Sequence, residues 1–153
     1  MMKEIMLSFT AQYLYNWILE RDMQPELFYL LLVIVFTAVL WIPYILDRVA
    51  VCGFMDAVGY PENPKPQSAW ARRLMKAHAN AIENLVIFAS LVLLADAMDV
   101  SGPTIAFAAM LYFWSRVVHA VSYTFAIPWV RTLSFAVCFV AQVIVAWQLL
   151  VSV

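Results

Sequence analysis

Hydrophobic and polar positions alternate along this chain in blocks long enough to cross a bilayer. Residues 27–46 carry no charge and end abruptly at Asp47-Arg48, which predicts a membrane-spanning helix, since about 20 apolar residues cover a hydrocarbon core about 30 Å thick. Pro43 lies near its end, where a kink can be absorbed by neighbouring helices. A second helix is predicted over 69–97, polar at its start and apolar from Leu85 onward, closed by a turn through Asp96, Asp99, Ser101, Gly102 and Pro103. A third over 104–125 is apolar until Arg116 and His119 interrupt it, and a fourth over 132–153 has no charge at all. Between the first two, residues 47–72 read as a loop, with Gly53, Gly59 and the run Pro61-Glu62-Asn63-Pro64-Lys65-Pro66 excluding a continuous helix. The connection at 126–131 is short enough to make the last two helices an antiparallel pair. Ahead of the first span, Ile5, Phe9, Tyr13 and Trp17 recur every four residues, as expected of a short interfacial helix over residues 1–26.

Composition places the whole chain in the membrane: 65% of its 153 residues are hydrophobic and 12% charged, with a mean hydropathy of +0.84. A typical soluble domain carries about 25% charged residues. The expectation is an all-α, integral membrane four-helix bundle forming a single domain over 1–153, with no room for a soluble catalytic domain. A net charge of −1 argues against a nucleic-acid partner, because phosphate binding demands a basic surface. Cys52 and Cys138 do not make a disulfide framework. Arg48, Lys65, Arg72, Arg73, Lys76 and Arg131 fall on one side of the predicted bundle, and Lys3 and Arg21 on the other. The positive-inside rule then puts both termini outside and loops 47–72 and 126–131 in the cytoplasm. Compact loops without retrieval or lipidation signals are compatible with a bacterial inner membrane.

Two files of polar side chains change the picture from a passive bundle to one with a site. Arg73, Lys76, Asn80 and Glu83 follow each other at +3, +4 and +3, and Tyr112, Arg116, His119 and Tyr123 at +4, +3 and +4, so each set lies on one helical face. An ionisable group at a helix centre costs about 2.5 to 3.5 kcal/mol on insertion scales and usually faces a bundle interior or a wet cavity. Arg48 and Arg131 are expected at the same membrane level. These cations, gathered around Glu83 as a buried carboxylate, imply a small, multiply negative ligand with an amine or other donor for Glu83. A Glu83–Arg116 pair that merely joins two helices is the bland alternative. His78 and His119 fall on different helices and His78 to Glu83 is i+5, so no metal-binding cluster is expected. Neither a nucleophile elbow nor a glycine-rich phosphate loop is present.

The stretch Ala77-His78-Ala79-Asn80-Ala81-Ile82-Glu83-Asn84-Leu85, with Lys76 four residues before Asn80, resembles the signature of the MAPEG family, the membrane-associated proteins in eicosanoid and glutathione metabolism. The block Arg116-Val117-Val118-His119-Ala120-Val121-Ser122-Tyr123, followed by Pro128 and Arg131-Thr132, is similar to the family's pattern for helices three and four. The likeness runs from about residue 27 to the carboxyl terminus and leaves residues 1–26 outside. It implies a homotrimer that binds glutathione as co-substrate in clefts between protomers near the cytoplasmic face. By position, Arg48, Arg73, Lys76, Asn80, Glu83, Arg116, His119 and Tyr123 would hold the tripeptide. Arg131 would stabilise the thiolate, with Thr132 beside it at the place of a serine. A microsomal glutathione transferase-like reaction follows, in which the thiolate attacks a lipophilic electrophile or reduces a lipid hydroperoxide. Departures at Lys76 (often Arg), Ala79 (an arginine in the prostaglandin synthase branch) and Phe135 (a tyrosine there) argue against prostaglandin isomerase activity. The competing expectations are a nonenzymatic lipid- or partner-binding protein of the same fold, and a proton-linked transporter using Glu83 and His119.

Overall fold

The computed structural model describes residues 23–152; the expected interfacial helix over 1–26 lies almost wholly outside them. Six helices make up the described chain: α1 (Pro25–Val39), α2 (Trp41–Cys52), α3 (Phe54–Val58), α4 (Ala69–Ala97), α5 (Pro103–Thr124) and α6 (Pro128–Ser152). Taken as one segment, Pro25–Cys52 is long and apolar enough to cross a membrane, as are α4, α5 and α6, which gives the four expected spans.

The first span is broken where its sequence lets it break. Pro43 lacks the N–H that would bond the Val39 carbonyl, and its ring crowds that carbonyl. Leu40 accordingly closes a tighter turn, its N–H donating to Thr37 O at 3.2 Å, and α2 follows from Trp41. The expected loop from residue 47 is corrected: α2 runs on to Cys52, Gly53 at φ +84° turns the chain, and the single turn of α3 follows. Gly53 caps α2 in the left-handed region that glycine enters without penalty. The irregular connection shrinks to residues 59–68. The fourth span starts four residues earlier than expected, because Pro128 takes the first helical position, where its missing N–H costs nothing.

Helices α5 and α6 form the most extensive pair, and α1 and α4 pack against α5. The central core draws on all four spans: Leu30 and Val33 from α1, Phe88 and Val92 from α4, Ala109 and Tyr112 from α5, Cys138 and Ala141 from α6. Phe88 and Tyr112 stack with ring centroids 3.8 Å apart. Alanines allow close contact within this core and beyond it: Ala71, Ala77, Ala95, Ala108, Ala109 and Ala141 are fully buried. Lipid is as apolar as leucine, so helix association rests on close van der Waals approach, which small side chains permit.

The α5–α6 turn stores strain. Ala126 adopts φ +59° while its N–H donates to Tyr123 O and that of Ile127 to Ser122 O at 2.9 Å. A non-glycine residue pays about 1 to 2 kcal/mol in that conformation. Ala126→Gly is therefore expected to raise stability by up to about 1 kcal/mol, read as a higher unfolding temperature in detergent; an unchanged or lower temperature would contradict the strain.

Candidate functional site

Three helices bring their polar positions to one cavity. Lys76 and Asn80 come from α4, His119 and Tyr123 from α5, Arg131, Thr132 and Phe135 from α6, and together they line about 270 Å³. The register explains the convergence. Lys76 and Asn80 are i,i+4 on α4, and His119 and Tyr123 are i,i+4 on α5. Because Pro128 opens α6, Arg131 ends its first turn and Thr132 follows, at the end of the bundle where α5 finishes. No carboxylate lines this cavity among the described residues.

The fittings around it are specific. The Arg131 guanidinium carbon lies 4.9 Å from the Tyr123 ring centroid, a stacking that holds the planar cation across the cavity wall. His119 meets Tyr123 edge-on and lies against Phe135. It is 3% exposed, and its Nδ1 has no hydrogen-bond partner among the described residues. Thr132 donates its hydroxyl to Pro128 O at 3.0 Å, leaving the oxygen lone pairs to accept.

Behind the cavity lies a charge with no acid beside it among the described residues. Arg116, 2% exposed, donates from both terminal nitrogens to Asn80 Oδ1 at 3.2 and 3.3 Å, and Nη1 also reaches Cys138 Sγ at 4.0 Å. Ser115 Oγ and Cys138 Sγ are 3.0 Å apart. Asn80 therefore serves two sides, accepting from the buried guanidinium while its residue lines the cavity. Farther along α4, Asn84 donates to Asn80 O and Gln142 of α6 donates to Asn84 O.

The remaining predicted residues fall elsewhere. Arg73 donates from Nε to Thr124 O at 2.7 Å, a cation placed on the carbonyl end of α5 where the helix dipole favours it. With Ala69, Arg72 and Lys76 it flanks a second open depression of about 360 Å³, so a basic strip leads along α4 to the cavity. Arg48 is not part of the cavity. Its Nε donates to Ala57 O, tying α2 to α3. Glu83 is exposed on the outer flank of α4, about 10 Å along the axis from Lys76 at 1.5 Å per residue. Within this protomer it is not buried, and the expected pairing with Arg116 gives way to the Arg116–Asn80 contact. His78 packs: Tyr44 OH and His78 Nδ1 are 3.0 Å apart, and Gln67 donates to Tyr44 O while Asp47 accepts from Ser68 N–H. These contacts fasten α2 and the 59–68 connection to the start of α4. The Ser115–Cys138 contact escaped the sequence reading, since two positions 23 residues apart on different helices give no signal of contact.

A family model described as MAPEG family matches residues 30–151. No curated protein and no solved structure matches the chain.

Proposed function

Because the chain belongs to the MAPEG family, whose members generally use glutathione, we propose that it is a membrane glutathione transferase or peroxidase acting on lipophilic substrates. The observation that supports this reading most is the acid-free cavity of Lys76, Asn80, His119, Tyr123, Arg131 and Thr132. Two cations and several N–H and O–H donors, with Arg116 close behind, suit a ligand bearing two carboxylates. Arg131 is suited to the thiol, because a guanidinium and the amino-terminal turn of α6 both favour the thiolate.

In the proposed reaction glutathione loses its thiol proton to solvent, and the sulfur forms a bond to an electrophilic carbon whose leaving group departs with the bonding pair. With a hydroperoxide, sulfur instead takes the terminal oxygen and the alcohol leaves. A second glutathione then displaces that oxygen as water and yields the disulfide. The lipophilic partner arrives laterally from the bilayer. Arg48 and Glu83, turned away from this protomer's cavity, are proposed to serve the cleft of a neighbouring copy in a homotrimer. The orientation proposed with it keeps the Arg131 end cytoplasmic.

Glutathione binding to the detergent-purified protein tests the reading directly. At 100 times its dissociation constant, glutathione should stabilise the fold by about 2.7 kcal/mol, seen as a raised unfolding temperature. A chlorodinitrobenzene-type acceptor should then give a thioether. Binding without turnover of this acceptor or of lipid hydroperoxides would favour the nonenzymatic alternative, and absence of binding would overturn both the site and the reaction.

A further inference from the structure

The opposite end of the bundle holds a second polar cavity, of about 150 Å³, lined by Gln24 and Glu26 at the start of the first span and by Ala95, Asp96, Asp99, Val100 and Ser101 around the α4–α5 turn. No lysine or arginine lines it among the described residues. Asp96 and Asp99 have contacts of their own. Glu26 differs: it is 3% exposed, and its Oε2 is buried with no hydrogen-bond partner among the described residues. A buried acceptor of this kind costs about 1 to 3 kcal/mol, and more when charged, unless a donor reaches it. A membrane protein rarely keeps such an oxygen without use.

We propose that this cavity binds an organic cation through its N–H groups, a primary ammonium or a guanidinium, with Glu26 Oε2 as the principal acceptor. Among the described residues no three His, Cys, Asp or Glu side chains converge closely enough to chelate a metal ion, which leaves hydrogen-bonded cations as the fitting class. The cavity lies at the ends of the spans, where lipid headgroups are expected, so a phosphatidylethanolamine ammonium can reach it. Arg21, three residues ahead of Gln24 in the chain, offers the same chemistry from within.

Full-length protein in nanodiscs of phosphatidylcholine, doped with spin-labelled phosphatidylethanolamine or its trimethylated counterpart, distinguishes the sources. A lipid source predicts at least about a fivefold preference of wild type for the primary ammonium, abolished in Glu26→Gln. An internal source predicts no preference in wild type and its appearance in Arg21→Gln. Absence of preference in both proteins overturns the proposal, as does a preference that survives Glu26→Gln. Should Glu26→Gln fail to fold, Asp96→Asn and the response of wild-type and Arg21→Gln unfolding temperatures to ethylammonium against tetramethylammonium chloride decide instead. A rise specific to ethylammonium in either protein supports the site, and equal responses in both overturn it. Glutathione binding, at the other end of the bundle, should be unchanged in Glu26→Gln, so the two sites can fail independently.

Discussion

Arg131→Ala should lower the rate of thioether formation about 25-fold at pH 7 while leaving the fold intact. A free thiol titrates near pH 8.5, and a site that lowers this by two units must supply about 2.7 kcal/mol of preference for the thiolate. Removing the guanidinium returns the inflection of the pH–rate profile toward the free value. The deficit is then about 100-fold at acidic pH and closes above about pH 9, where both thiols are ionised. Arg131→Lys should fall between, because it keeps a point charge and loses the planar stack on Tyr123. An inflection that stays in place in Arg131→Ala, with glutathione still bound, would assign thiolate stabilisation to another group.

Asn80→Leu should be the most destabilising substitution at the site, by about 3 kcal/mol in the absence of ligand. The Asn80 oxygen is the acceptor for both terminal nitrogens of Arg116, and a charged group left buried without its partner costs more than a neutral one. Asn80→Asp keeps the acceptor and adds a counter-charge, so it should unfold at or above the wild-type temperature. The double substitution Asn80→Leu with Arg116→Met removes both partners and should recover most of the loss. An Asn80→Leu protein within about 0.5 kcal/mol of wild type would show that the buried guanidinium is satisfied by other means.

The four spans were legible because long apolar runs and their punctuation carry the signal. The helix Ala69–Ala97 has the bounds its sequence predicts. Spacing also placed Lys76 with Asn80, and His119 with Tyr123, on faces that do meet. It could not say what stands opposite each turn. Glu83 belongs to the same file as Lys76, yet about two turns farther along α4 the cavity has ended and the residue faces outward. The pairing of Arg116 with Asn80 depends on how α4 and α5 pack, and the links Tyr44–His78 and Asp47–Ser68 depend on the path of a connection. Such contacts leave no periodic trace. The early start of α6 was within reach, since a proline at the first helical position is a sequence rule.

The break after Val39 gives the two halves of the first span different allegiances. Helix α1 is held by α4 and α5 through the central core, whereas α2 is held by α3 and α4. Exchange of residues 41–68 as one cassette for another of equal length would leave the Leu30–Val33 contacts untouched. The segment that carries Arg48 and Lys65 is thereby set apart from the central packing of the bundle.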